Sequence, residues 1–519
     1  MEAEIENHAS NGSWEWVPLT ELPHGRHLIK LVWVYKTKRN GALKSRLCVQ
    51  GCAQTANVDY NQTFSAALRS PSLRMLACLA ARNGFSLHRW DFVAAYLQGQ
   101  LEDGEVVYCH PPAGYERPGY MCKVCKPIYG MAQAGRRWQR TLFPWLRDFG
   151  FVASADDPCL FQCTRTVDTP DGAREDKIFL GVYVDDLAVA FSSDDPHSLY
   201  HQFITALTKD WQVEDEGELS DLLGIDFARR GGDICLTQRA YIEKMTESYL
   251  PDGVGNKVQE STVPSSPSII QEVADALCQD VEHIDKSMLK RYQQLVGSLL
   301  YCATNTRPDI AYSVGMLCRA MGKPTDELMT AAERVLIYLY RTRELGLTYE
   351  RSDERLYGMS DSDWAVKHST SGSVFILNKA AISWSSKRQQ TVALSSCEAE
   401  IVAASEAAKE AISLSRLARE FGLLDDEPID LHLDNTGAID VAYNPEHHTR
   451  MKHVERRHFF VREAVENHLL RVPFVRTDKN LADFFTKPLT AAVFFPLRDK
   501  IMNIPKRGHR SAGGCRVTD

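Results

Sequence analysis

The stretch "IFLGVYVDDLAVAF" (residues 178–191) constrains the fold more than any other part of the chain. Its two apolar halves have the length and the β-branched and aromatic content of strands, and adjacent carboxylates, Asp185 and Asp186, separate them. The pattern predicts a hairpin with both acids at its tip. A two-residue hairpin turn normally takes Asn-Gly or Asp-Gly, because its central residues need positive φ. Two aspartates bring no such backbone benefit, and they repel each other. A solvated turn is the simplest account. The alternative is a divalent cation on the tip, which needs a third acid from another strand. Asp91 in "HRWDFVAAYLQG" meets that need: it follows an apolar-flanked strand, and the aromatic Tyr96 comes five residues later.

The balance of 44% hydrophobic and 25% charged residues is that of an ordinary globular protein, and 519 residues are enough for about three or four domains. The net charge of −8 gives no global basic footprint. Residues 26–46 are the local exception, with seven Lys or Arg, no acid, and Trp33 and Tyr35 interleaved. Such a run is either a solvated face or a surface that touches phosphates and bases. No run of about 18 apolar residues predicts a membrane span, and the acidic, polar start is unlike a signal or transit peptide. Fourteen scattered cysteines fit a reducing compartment better than a disulfide framework. Cys122 and Cys125 have zinc-like spacing, but the next pair, Cys159 and Cys163, is a CxxxC far downstream, so no structural zinc is expected.

Strand-like and helix-like pieces alternate through the first half. "KLVWVYKTKRNGALKSRLCVQG" reads as two strands around Asn40-Gly41, and "SPSLRMLACLAARNG" as a helix closed by Asn83-Gly84. "PDGVGNKVQESTVPSSPS" has no hydrophobic period and reads as a linker. Helical spacing follows, and then a third unit with strands, an alanine-rich helix and further helices. The expected organisation is a first unit at 1–250, a linker at 251–283, a helical segment at 284–353, a third unit at 354–490 and a tail at 491–519.

The order "DYNQTFSAALRSPSLR", "KPIYGMAQAGRRW", "YVDD", "TRPDI", "SSCEAEI", "MKHVERRHFF" resembles the reverse transcriptase and ribonuclease H portion of Pol polyproteins from copia-type (Pseudoviridae) long-terminal-repeat retrotransposons. The resemblance runs from about residue 14 to residue 489. It implies an α+β fold: a right-hand polymerase with fingers, a palm carrying an RRM-like antiparallel sheet, and a thumb. A helical connection and a ribonuclease-H-like mixed β-sheet domain would follow. No capsid, protease or integrase motif is present, so the chain resembles the C-terminal polymerase portion of a longer polyprotein or a truncated copy of it.

By this resemblance the chain is an RNA-directed and DNA-directed DNA polymerase with a tethered ribonuclease H. Asp91, Asp185 and Asp186 would hold two Mg²⁺ ions, with Asp186 in a less direct role. Two such ions roughly 3.5–4 Å apart suit in-line attack on a phosphate, and magnesium takes hard oxygen ligands of this kind. Mn²⁺ is the alternative ion. Lys38 and Arg46 would bind the triphosphate, Tyr96 would lie under the sugar and select deoxynucleotides, and Gln133 and Tyr183 would contact the incoming nucleotide. Asp361, Glu400, Asp434 and Asp483 match the four acids of a second two-metal site. Glu398 is assigned instead to a capping box with Ser395. Arg456 and Arg457 would meet the phosphates of an RNA–DNA hybrid.

The implied partners are an RNA template, a DNA primer, RNA–DNA hybrid, deoxynucleoside triphosphates and the integrase of the same polyprotein, with no membrane. The implied location is the cytoplasm, inside virus-like particles, with a nuclear phase. Gln50, Ala66, Ala132 and Ile401 depart from the family pattern, and Arg476 lies in the loop where many cellular ribonucleases H carry a histidine. These departures keep open a second reading, a decayed or co-opted copy that binds nucleic acid without turnover.

Overall fold

In the computed structural model the described residues are 1–37, 41, 43–170, 172–255, 262–279, 284–365, 368–443 and 457–505. They divide into two units, one built from residues 1–69 and 86–218, the other from 70–85 and 219 onward.

In the first unit the "YVDD" stretch forms the expected hairpin. Its arms are the strands Gly172–Tyr183 and Asp186–Phe191, paired so that Asp186 lies opposite Tyr183. Consecutive residues from Ile178 to Val182 and from Leu187 to Phe191 are buried, so both sheet faces are covered. That is why the arms read as continuous apolar runs and not as an alternation. The strand Ser86–Phe92 pairs antiparallel with the outer side of Asp186–Phe191, and Asp91 falls opposite Asp186. Strand Val213–Glu218 pairs beyond it, and Leu160–Thr169 and Val152–Ala153 complete a six-stranded antiparallel sheet. Aromatic rings on the helices Ala134–Phe149 and Leu199–Asp210 pack with this sheet and with each other, as in Phe92 with Trp138 and Phe149 with Phe203.

The basic stretch forms the expected hairpin as well, with arms Leu31–Thr37 and Leu43–Val49. Its inner half is anchored by Leu31, Leu47 and Val49 in a core with Val107 and Met131, while Tyr35 and Leu43 farther out are exposed.

In the second unit the helix Ser70–Asn83 ends where the sequence predicts, with Gly84 at φ +68° supplying the left-handed residue that closes it. The helices Lys286–Asn305, Ala311–Cys318 and Asp326–Arg341 account for the helical segment. The "TRPDI" block proves to be a staple between them. Arg307 donates to both Asp309 oxygens at 2.9 and 2.7 Å and to Thr342, and the Tyr338 hydroxyl donates to Asp309 at 2.6 Å, all in the interior.

A five-stranded sheet follows in the order Ala380–Arg388, Thr370–Leu377, Tyr357–Asp363, Ile429–His432, Leu470–Arg471. The first three strands are antiparallel and the last two join parallel, the mixed sheet that was expected. The 25-residue helix Ser396–Glu420 packs on this sheet. Its cap is as expected: the Ser395 hydroxyl accepts from the Glu398 amide at 3.1 Å, and the Glu398 carboxylate accepts from the Leu394 amide at 2.7 Å.

Two segments are more ordered than the composition suggested. Residues 269–278, inside the stretch read as a linker, form the helix Ile269–Cys278, which buries Ile269, Val273 and Ala276. That spacing is a helical period, masked by the Pro-, Gly- and Ser-rich run before it. Residues 491–502 of the expected tail form the helix Ala491–Met502, with Phe494 stacked on Phe484 at 4.9 Å and Ile501 and Met502 buried. No helix among the described residues is long and apolar enough to cross a membrane.

Candidate active sites

The first site is assembled by strand register. Asp91 and Asp186 face each other across paired strands, and Asp185 occupies the turn whose carbonyl accepts from the Phe92 amide at 2.8 Å. Two adjacent acids and a third from a distant part of the chain thus meet at one end of the sheet. Burial, then the charges of Asp185 and Asp186, push the Asp91 carboxyl up to about 7, against the opposing pull of Arg89 and Lys44. Burial first and repulsion second favour the neutral acid there, and a cation would relieve the repulsion.

Asp186 differs from its neighbours. Its Oδ1 accepts from Arg89 Nε at 2.9 Å, with a second guanidinium nitrogen at 2.8 Å. Arg89 lies two residues before Asp91 on the same strand, so one face of that strand carries both the acid and the base that ties down its neighbour.

The turn itself is strained. Val184 sits at φ +56°, a left-handed conformation that a β-branched side chain strongly disfavours. The indole N–H of Trp138 donates to the Val184 carbonyl at 2.6 Å and pins it. Ala94, at φ +50°, starts the short helix that presents Tyr96. The Tyr96 ring lies 4.5 Å from that of Tyr129, and Arg46 stacks over Tyr129 at 3.9 Å. Burial, then the Asp185 charge, push the Tyr96 hydroxyl above its usual range. Tyr183 ends the hairpin arm beside these groups and is half-buried.

The structure therefore brings Asp91, Asp185, Asp186, Tyr96, Tyr183 and Arg46 into one neighbourhood. Gln133 is different: it is fully buried, its amide donates to the Asp59 carbonyl and its oxygen accepts from Gln54, both at 3.1 Å. In this arrangement it braces the loop holding Asp59 and has no open face for a nucleotide. Lys38 lies outside the described residues. Sequence reasoning missed Trp138, Tyr129, Arg89 and Lys44. The first two stand in the quoted "KPIYGMAQAGRRW" block and Lys44 in the basic run, so the blocks held the signal without saying which member mattered.

The second site lies wholly in the other unit. Asp361 is on the central strand Tyr357–Asp363, Asp434 follows the strand Ile429–His432, and Asp483 is in the turn of helix Leu481–Phe485. One carboxylate oxygen from each lies within 4.8 Å of the others. Glu400, one turn into the long helix, accepts from the Ser362 amide at 3.2 Å. Gly372 lies opposite Asp361, and a Cβ there would come within 2.8 Å of the Ala482 carbonyl; its absence lets the Asp483 turn rest on the sheet. Thr486 donates to Asp361 Oδ2 at 2.5 Å.

Two buried oxygens in this site, Glu400 Oε2 and Asp483 Oδ1, have no hydrogen-bond partner among the described residues. Buried acceptors are rarely left so. Burial, then Asp361 and Asp434, push Glu400 up to about 8; burial, with Asp483 and Asp434, pushes Asp361 up to about 7. Hard oxygen donors, orphaned acceptors and unrelieved repulsion together fit divalent cations of the magnesium class. Arg456 lies outside the described residues. Arg457 opens the helix Arg457–Glu466, and its side chain is likewise outside them.

A stability test follows. With its folded-state pKa raised, Glu400 takes up protons on folding between about pH 4.5 and 8, so its unfavourable effect appears as pH rises through that window. Glu400→Gln should stabilise the metal-free protein by about 2–4 kcal/mol at pH 8 and by far less at pH 5. Thermal melts in chelator at the two pH values measure this. Equal effects at both would show that the repulsion is not there.

The chain is similar to several known proteins. Residues 13–257 match the family model described as reverse transcriptase (RNA-dependent DNA polymerase). The chain is 33% identical over 516 residues to the retrovirus-related Pol polyprotein from transposon RE1 of Arabidopsis thaliana, covering 96% of this chain and 33% of that protein. It is 32% identical to the corresponding polyprotein from transposon TNT 1-94 of Nicotiana tabacum, covering 36% of it. The chain thus spans about a third of these relatives. The putative transposon Ty5-1 protein of Saccharomyces cerevisiae is 30% identical, with 97% of its length and 60% of this chain matched. Among solved structures, the foamy viral protease-reverse transcriptase in complex with RNA/DNA hybrid superposes with a TM-score of 0.53 at 12% identity, over 94% of this chain and 55% of that one.

Proposed function

The chain belongs to the reverse transcriptase family of retrotransposon Pol polyproteins, and from that premise we propose that it copies RNA and DNA templates into DNA and degrades the RNA of the resulting hybrids. The observation that carries this reading is the gathering of two separate acid sets, Asp91 with Asp185 and Asp186, and Asp361 with Glu400, Asp434 and Asp483. Divalent cations bound there, Mg²⁺ or Mn²⁺, supply neutralisation of phosphate charge and a lowered pKa for the attacking oxygen.

The chain's own residues do the rest. Asp91 and Asp185 hold the primer-extending centre, while Arg89 keeps the Asp186 carboxylate oriented. Arg46 and Lys44, whose charges reach Tyr96 and Asp91 respectively, bind the triphosphate together with Lys38. Tyr96, stiffened by Tyr129, occupies the space a 2′-hydroxyl would need, and Tyr183 lies beside it. In the second centre Thr486 orients Asp361, and the Ser362 amide orients Glu400. Arg456 and Arg457 contact hybrid phosphates, a sequence-independent grip suited to an enzyme whose fidelity comes from base pairing.

The proposed functional division is polymerase at 1–250, a linker narrowed to 251–268, a helical connection that takes in the helix Ile269–Cys278 and runs to 353, and ribonuclease H at 354–490. Primer, template, deoxynucleoside triphosphates and the polyprotein's integrase are its partners, in cytoplasmic virus-like particles with a nuclear phase.

The test is a paired assay on the full chain: primer extension on an RNA template, and release of label from the RNA of a hybrid, each with Mg²⁺ and with chelator. Both activities are expected with Mg²⁺ and neither with chelator. Tight hybrid binding with neither activity in Mg²⁺ or Mn²⁺ would instead favour the inactive copy.

A further inference from the structure

A cation, Lys487, stands beside the acids of the second centre. Lys487 follows Thr486, whose hydroxyl is fixed to Asp361, and precedes Pro488, so its backbone is held on both sides. Its ammonium lies 2.8 Å from Asp483 Oδ2. No other ion pair to Asp361, Glu400, Asp434 or Asp483 is found among the described residues. The side chain is about 40% exposed, so its ammonium is reached by solvent while part of its stem stays packed.

We propose that Lys487 is a tethered counterion that occupies the cation position at Asp483 until divalent metal arrives, and so sets the metal affinity of this centre. This rests on the reading of the four acids as a two-metal site. Two divalent cations neutralise four carboxylates by themselves, so the ammonium becomes surplus once they are in place. Lys487 then leaves Asp483 and swings into solvent, where it can meet a backbone phosphate of the hybrid as a point charge. The residue thus couples metal loading to substrate capture: its charge is spent on the acids in the empty site and freed for phosphate in the loaded one.

The consequence is specific in sign. Removing the competitor should tighten metal binding, whereas removing an ordinary structural or substrate-binding lysine would not. In the full chain carrying Asp185→Asn, which weakens the other centre, Lys487→Gln should lower the Mg²⁺ dissociation constant measured by calorimetry by roughly 5–20-fold, and Lys487→Arg should leave it within about threefold. An unchanged or weaker constant in Lys487→Gln overturns the proposal and leaves the two-metal reading intact. A parent chain whose Mg²⁺ uptake is untouched by Asp434→Asn overturns both.

A measurement on the unaltered protein covers the case in which Lys487→Gln fails to fold. The amine of Lys487 should be acylated several-fold faster by acetic anhydride in Mg²⁺ than in chelator, read by peptide mass spectrometry against Lys379, which pairs with Glu350 away from both centres. Equal rates with and without Mg²⁺ would mean the ammonium never leaves.

Discussion

Asp185→Asn is expected to reduce primer extension on an RNA template by about a thousandfold or more while hybrid hydrolysis stays near its original rate. Asp434→Asn is expected to do the reverse. The amide keeps the size and one acceptor oxygen but loses the charge, so each change removes a cation ligand without opening a cavity. The two acid sets belong to different units, Asp185 on the hairpin of the first and Asp434 at the end of a parallel strand in the second. Gel-resolved extension and label release on the same preparations read both effects at once. If either substitution depresses both activities equally, the sites do not act separately; if neither depresses either, the acids are misassigned.

Asp309→Ala should cost about 3–5 kcal/mol of unfolding free energy, because it leaves the Arg307 guanidinium charged in the interior. The double change Arg307→Met with Asp309→Leu should recover most of that loss, since apolar residues of similar volume replace a buried pair with little penalty. Urea titration of the three proteins measures the difference. Recovery no better than for Asp309→Ala alone would show that the pair stabilises by more than mutual satisfaction. The pH response has a definite sign. Burial favours the neutral acid, but Arg307 and the Tyr338 hydroxyl outweigh it and hold the Asp309 carboxyl below its usual range. Its contribution is therefore complete above the unfolded value of about 3.9 and disappears only as pH falls through the folded value.

The contrast between these two sets of residues separates what sequence motifs mean from what they look like. "YVDD" and "TRPDI" are equally recognisable as strings. One sits at a strained turn where three acids gather and Arg89 meets only Asp186, whereas the other closes a paired ion network inside a helical segment. Nothing local distinguishes a carboxylate that awaits a cation from one that already has an arginine.

The sequence by itself determined the hairpin arms, the helix closed by Gly84, the cap at Ser395 and the acids that belong together. These depend on periodicity, on turn and cap chemistry, and on motif order, all of which are written within a few residues of one another. It left the helix Ile269–Cys278 inside a linker and Gln133 in contact with a nucleotide, because composition and motif position carry no record of what lies across the fold. Only the tertiary structure decided that Arg89 holds Asp186, that Trp138 pins the turn, that Gln133 is spent on Asp59, and that Lys487 stands among the second set of acids. The physical reason is that an ionisable group's partner is fixed by strand register and by the contact of segments far apart in the chain. A lysine four residues from its acid, as Lys487 is from Asp483, and an arginine 97 residues from its acid, as Arg89 is from Asp186, look alike until the fold brings each to its carboxylate.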